Sequence, residues 1–250
     1  MNEVVVVTGS QGGIGQHLVT EYLDAGYVVI GIDHVDETEI QNTRYHHLTV
    51  DLVGLVADET IRTSLKADIE GIIDGDDSRV TLINNAALQV VGSAGQLSVD
   101  AMSRSFAVNT IAPAVMFQIL LERLLASKGA VLNICSIHTR LTKADFSIYA
   151  ASKSALESLT RSWAIEYARR GIAINALSPA AVDTPMLREG FARNPESLPR
   201  LNEHHPAGTI GDPAKLAVLA RKITELDDSF LAGTVIDYSG AISARLHDPE

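Results

Sequence analysis

The 250-residue chain carries 31 acidic against 20 basic residues, and its net charge of −11 excludes the basic face that nucleic acid or an anionic membrane demands. Hydrophobic residues at 46% suit an α/β domain with a large core. One cysteine, Cys135, excludes an intrachain disulfide and points to a reducing, cytoplasmic setting. It ends an apolar run and reads as a small buried hydrophobe, not a nucleophile. The opening MNEVVVVTGS has no basic stretch and its apolar run stops after four valines, so no targeting segment is expected. IAPAVMFQILL, broken by Glu122 and Arg123, is too short for a membrane span.

Short β-branched runs alternate with helical patterns along the chain. VVVV (4–7) precedes a helix over about 13–25, and YVVIGI (27–32) follows it. YHHLTV (45–50) is a third strand, with a helix near 58–74. RVTLI (79–83) comes before a long helix over about 98–126, and AVLNIC (130–135) before another ending near Arg170. GIAINAL (171–177), an irregular region, a helix near 213–226 and GTVID (233–237) complete the order. Strands buried on both faces and joined by helical crossovers predict a doubly wound parallel sheet of about seven strands, in a single domain over 1–250. In that architecture ligands lie beyond the carboxyl ends of the strands, and Thr8, Asp33, Asp51, Asn84, Ser136 and Pro179 all fall there.

The first turn, Thr8-Gly9-Ser10-Gln11-Gly12-Gly13-Ile14-Gly15, stands between a strand and a helix. Glycines there let the backbone approach a pyrophosphate, whose charge the helix N-terminus receives. A plain tight turn is the alternative. Asp33 ends the second strand, where a carboxylate can accept both hydroxyls of an adenosine ribose and repels the extra phosphate of NADP. No Arg or Lys follows Gly9 or Asp33 closely, which favours NAD. Asp51 can receive the adenine amino group and Asn85 can bracket the ribose.

Tyr149 and Lys153 lie four apart in SIYAASKSALESLTRSWAIEYA, whose apolar residues recur at helical spacing. The two side chains therefore share a helix face. A free tyrosine titrates near pH ~10, and a neighbouring cation is expected to lower that value toward useful acid/base chemistry. Ser136, at a strand end, can hold the same substrate oxygen.

Together, TGSQGGIG (8–15), Asp51, NNAA (84–87), Asn109, Ser136, Tyr149-Ala-Ala-Ser-Lys153 and the stretch from Asn175 to Thr184 resemble the short-chain dehydrogenase/reductase family, over nearly the whole chain. The resemblance implies a Rossmann-type fold and a tetrad of Asn109, Ser136, Tyr149 and Lys153. Tyr149 would be the general acid/base and Ser136 would position the substrate oxygen. Lys153 would hold the nicotinamide ribose, and Asn109 would anchor a proton-relaying water. It also implies cofactor contacts from Leu52, Ala86, Ala87, Pro179, Val182 and Thr184, besides the glycine turn.

Departures from the family pattern are Ala87 and Ala180, where glycine is usual, and IDYSGAIS, which lacks the usual glycine pair after the last strand. Gln89 and His138 look like substrate contacts of the 3-hydroxybutyrate dehydrogenase branch. That branch's second glutamine is Arg188 here, and its lysine three places before the tyrosine is Phe146. Arg188 either grips a substrate carboxylate or points into solvent. The stretch over 184–206, with Pro185, Pro195, Pro199 and Pro206, is expected to be a substrate lid. His204 and His205 lack a third ligand at suggestive spacing, so no metal site is expected.

The resemblance further implies a homotetramer packed through the two long helices and the last strand. Ala150, Ala151, Ala155, Leu159 and Trp163 could serve that packing or the core. The leading expectation is an NAD-dependent oxidoreductase acting on a secondary alcohol or ketone. A non-catalytic dinucleotide sensor on the same fold is the alternative.

Overall fold

The computed structural model describes residues 3–73, 75, 78–192, 196–226, 228 and 230–245. Its strands are β1 (Glu3–Thr8), β2 (Val28–Asp33), β3 (Tyr45–Thr49), β4 (Arg79–Asn84), β5 (Ala130–Ile134), β6 (Ala173–Pro179) and β7 (Val235–Tyr238). All pair in parallel, in the order β3-β2-β1-β4-β5-β6-β7. The order reverses between β1 and β4, which opens a crevice at their carboxyl ends. This is the Rossmann-type doubly wound sheet. Val4 to Val7 are all at most 1% exposed, because helices cover both faces and leave no polar side for alternation.

The helices are α1 (Gly13–Asp24), α2 (Leu52–Ala57), α3 (Glu59–Ile72), α4 (Val99–Phe106), α5 (Ala112–Ser127), α6 (Ser147–Tyr167), α7 (Pro185–Gly190), α8 (Ser197–His204) and α9 (Pro213–Glu225). Leu18 and Tyr22 of α1 pack with Leu216 and Ala220 of α9 on one face of the sheet. Leu65 of α3, Met116 and Leu120 of α5 and Trp163 of α6 cover the other. Trp163 stacks on Phe117 with ring centroids 4.8 Å apart. It and Leu159 thus serve the core. The exposed apolar residues on the long helices are instead Val99, Ile111 and Ile165.

Several elements differ from expectation. The predicted helix over 58–74 is preceded by a separate turn of helix, α2, because Asp51 and Asp58 each cap a new N-terminus. Residue 74 lies outside the described residues. The long helix is not uniform: a π-turn over Ala107–Ile111 joins α4 to α5. That continuous Val99–Ser127 run is long and apolar enough by composition to cross a membrane, although IAPAVMFQILL by itself is not. Half of its most apolar window is buried, with Met116, Leu120 and Leu124 in the core, as a core helix requires. The stretch over 184–206 is more regular than expected, holding α7 and α8, while residues 193–195, including Pro195, lie outside the described residues.

The carboxyl ends of β1 and β4 are stitched together. The Thr8 hydroxyl accepts the Asn85 and Ala86 N–H groups, each at 3.1 Å, and the Asn85 side-chain amide donates to the Thr8 and Gly9 carbonyls, each at 3.0 Å. Thr8→Val keeps the shape and removes the acceptor. It should lower unfolding stability by about 2 kcal/mol in a urea titration, since partly buried N–H groups lose their partner. A change below about 0.5 kcal/mol would show the stitch to be unimportant.

Candidate active site

The crevice is a cavity of about 1110 Å³ along the carboxyl edge of the sheet. Gly9 forms its floor at φ +68°, a left-handed conformation that favours glycine, and a Cβ there would stand 2.8 Å from the Ala86 Cα. Gly15 packs against the same turn, since its Cβ would fall 1.9 Å from the Gly9 carbonyl oxygen. Gly12 caps α1 without any side chain, so the helix N-terminus faces the crevice bare. Such a terminus receives phosphate. Asp33 lies beside it, buried. Its carboxylate accepts the Gln11 N–H at 2.9 Å through one oxygen and the His34 N–H at 2.8 Å through the other.

Asp51, Leu52, Asn85, Ala86 and Ala87 continue the wall, and Pro179, Val182 and Thr184 close it from the far side. Of the predicted cofactor residues only Gly15 is not on the wall; it supports the turn from behind. Ala87 and Ala180 are not among the residues at positive φ, so their methyl groups carry no backbone strain. Ala241 is different. It sits at φ +68°, in the left-handed region that a residue with a Cβ seldom adopts. A glycine cradle, a bare helix N-terminus and a carboxylate at the end of β2 fit a dinucleotide.

The catalytic wall comes from β5 and α6. Tyr149, Ser152, Lys153, Leu156, Thr160 and Trp163 form one buried stripe of α6, so the helical spacing that builds the core also aims the polar residues at the sheet edge. Ser136, Tyr149 and Lys153 all line the cavity. The Lys153 ammonium is 1% exposed and donates to the Ile134 carbonyl at 2.7 Å. Burial pushes Lys153 down to about 8.

The tyrosine corrects an expectation. Burial raises Tyr149 to about 12, with the Ser136 hydroxyl pulling the other way and the Cys135 thiol adding to the rise. The ammonium donates to the Ile134 carbonyl, and burial, not the cation, sets the direction of the phenol's shift in this state. The Cys135 thiol is also raised, to about 12, by burial, as suits an inert core residue.

Asn109 is fully buried behind this wall, in the π-turn. Its oxygen accepts the Leu88 N–H at 2.7 Å, and its amide donates to the Leu88 carbonyl at 3.0 Å and the Ser152 hydroxyl at 2.9 Å. The side chain is spent on joining the loop after β4 to α6. Both amide hydrogens of Asn109 are thus engaged within the protein.

Beyond Tyr149 the cavity turns apolar. His138 stacks on Phe146 at 4.6 Å and meets Tyr149 edge-on at 5.9 Å. Burial lowers the His138 imidazole, with nearby Lys143 adding to the shift. Gln89 and His138 reach the wall as expected, but Arg188 does not. Its fork grips Asp183 through bonds of 2.8 and 2.9 Å, on the exposed side of α7. The nearest carboxylate has claimed it. Besides Lys153, the cations that line the cavity are Arg104, Lys143 and Arg245, and the Lys143 ammonium sits 4.3 Å above the Phe146 ring. His138 and His205 each keep one buried ring nitrogen without a partner among the described residues. No cluster there could hold a metal ion.

Residues 3–195 match the model of the short chain dehydrogenase family. The chain belongs to that family. Among curated relatives it is 27% identical to a meso-2,3-butanediol dehydrogenase of Serratia marcescens, covering 100% of this chain and 98% of that protein. It is also 27% identical to 3beta-hydroxysteroid dehydrogenase 1 of Eggerthella lenta, covering 96% and 94%. Among solved structures, ligand-free aldohexose dehydrogenase of Thermoplasma acidophilum superposes with a TM-score of 0.89 at 25% identity, over 100% and 98% of the two chains. A Beutenbergia cavernae dehydrogenase with NADP bound at low occupancy superposes at 0.86, also at 25% identity, over 97% of each chain. The family acts on alcohols and ketones with a nicotinamide dinucleotide, and these relatives differ in the substrates they are named for.

The substrate end of this dehydrogenase was the least visible in sequence. Val91, Leu141, Met186, Phe191, Leu201 and Arg245 line it from irregular segments or short helices with no periodic pattern. Its buried lysine gives a signed prediction. Lys153 stands near 8 in the folded chain and near ~10.4 when unfolded. Below pH 8 the folded state therefore bears the full cost of the buried charge, and stability rises as pH climbs from 8 toward ~10.4. Lys153→Met should then unfold later than the parent at pH 7, by roughly 2–3 kcal/mol, with the gap closing by pH ~10. A gap independent of pH would contradict the buried-charge account.

Proposed function

We propose that this dehydrogenase uses NAD to interconvert a secondary alcohol and a ketone, and that its substrate carries a polar or acidic group. The observation that carries the reading is the meeting of Ser136, Tyr149 and Lys153 on one cavity wall, with the glycine turn and Asp33 on the other. A bound nicotinamide supplies the hydride acceptor or donor. As a phenolate, Tyr149 would take the hydroxyl proton as the alcohol becomes a carbonyl, and as a phenol it would return that proton in the reverse direction. Ser136 holds the same oxygen. Lys153, one bond from Ile134, keeps N–H donors for the ribose hydroxyls. Any water relay beside Asn109 would use its backbone, since the side chain is spent.

Three observations support the finer choices. Near Asp33 the wall is His34, Val35, Asp51 and Val53, with no lysine or arginine to receive the extra phosphate of NADP. Lys143, close to His138, offers a cation on the cavity wall where Arg188 does not, which favours a hydroxy or keto acid. Helices α7 and α8 cover this end as a lid. A cytoplasmic setting rests on the lone thiol, buried and reduced. A tetramer rests on family resemblance, with Ile111 and Ile165 as the exposed apolar contacts.

Tyr149→Phe should cut turnover by about a thousandfold or more while NADH binding stays intact. Near-normal turnover would refute the acid/base assignment, and absence of any turnover in the parent across hydroxy acids, sugars, steroids and ketones would favour a dinucleotide sensor. For the cofactor, kcat/KM should favour NAD over NADP by about a hundredfold, about 2.8 kcal/mol; a preference for NADP would overturn the role given to Asp33. Lys143→Met should raise KM for hydroxy acids about tenfold and leave neutral alcohols unchanged. Equal effects on both classes would remove the acid-binding role.

A further inference from the structure

A second cavity, of about 470 Å³, opens where β4 and β6 begin, at the edge of the sheet opposite the catalytic crevice. The six residues of β4 span the roughly 20 Å between the two edges. Four cations line this basin: Arg79 at the start of β4, Lys128 in the turn after α5, and Arg169 and Arg170 in the 3₁₀ turn after α6. Among the described residues one carboxylate, Asp228, shares the wall, and it already accepts the Phe230 N–H at 2.9 Å. We propose that the basin binds a small polyphosphate anion, two or more linked phosphates, independently of the catalytic crevice.

Three of the four cations are held by neutral groups, so their charge is not discharged by an acid. Arg79 spends one nitrogen on the Thr224 carbonyl at 3.0 Å and keeps the rest of its fork. Lys128 caps α5 at φ 51°, and its stem lies against Gly171, where a Cβ would meet the Lys128 Cγ at 3.0 Å. Arg170 stands 5.6 Å over the Tyr167 ring. Among the described residues none of the four is in an ion pair, whereas Arg123, Arg140, Arg161, Arg188 and Arg221 each grip a carboxylate.

Convergence of like charges raises the energy of the folded chain, and a multivalent anion relieves it. Guanidinium forks suit phosphate oxygens, and the volume lies within the range of small-molecule sites. Among the described residues the wall carries no nucleophile, and its carboxylate, Asp228, is already bonded to a backbone N–H, so the site binds and does not react. With net charge −11 on the chain, a compact anion caught in a local basin is favoured over a long nucleic acid.

Inorganic pyrophosphate is the probe, titrated by calorimetry into the full chain with saturating NADH, which keeps it out of the glycine turn. One site per chain is expected, with inorganic phosphate at least tenfold weaker and affinity falling as salt rises. The Lys128→Ala/Arg169→Ala/Arg170→Ala variant should bind at least tenfold more weakly while its circular dichroism and NADH affinity match the parent. Arg169→Gln, a single change on an exposed turn, should weaken binding about threefold to fivefold and serves if the triple variant does not fold. No binding in the presence of NADH, or unchanged affinity in these variants, would overturn the proposal.

Discussion

A buried ammonium held by one carbonyl is the constraint on which the site depends. Lys153 reaches the Ile134 carbonyl at the end of β5 from the buried stripe of α6. A charge at 1% exposure is costly unless bonded, so the lysine fixes how close α6 must lie to the sheet edge. Tyr149, one turn earlier, is then placed beside Ser136 at the mouth of the crevice. The parallel sheet brings the dinucleotide turn to the same edge because every strand points its carboxyl end that way.

Buried polar groups extend this order inward. Asn84 donates to Asn133 and Asn133 to Thr160, each at 2.8 Å, which links β4 and β5 to α6 beneath the catalytic wall. Asn109 ties the loop after β4 to the same helix. Such networks are strong when satisfied and costly when cut, so they define one arrangement of the wall. The substrate end has no comparable network. It is built from apolar side chains, two imidazoles and three cations on loops and short helices, where variation is tolerated and specificity diverges.

Legibility in the sequence followed the range of the physics. The valines of β1, the glycine turn and the four-residue step from Tyr149 to Lys153 are local patterns, and they foretold the strand order's crevice and its two walls. Local patterns did not foretell the π-turn that buries Asn109, because i→i+4 and i→i+5 bonding share one apolar periodicity. Of the two readings open for Arg188, its exposed pairing with Asp183 agrees with the solvent-facing one, while Lys143 lines the cavity with its ammonium over Phe146. The direction of the tyrosine shift was also out of reach. Spacing reports that two groups are neighbours, whereas burial and the competing Ile134 carbonyl decide which effect wins.

The phenol's titration is the most direct check of this picture. Ultraviolet difference titration of the parent against a Tyr149→Phe control would isolate Tyr149 in the free protein and again with NAD bound. The account predicts a value near 12 in the free protein, held up by burial, and a clear fall when a cationic ring and a reorganised ammonium stand beside it. A phenol already near or below ~10 in the free protein, or one unmoved by NAD, would contradict it.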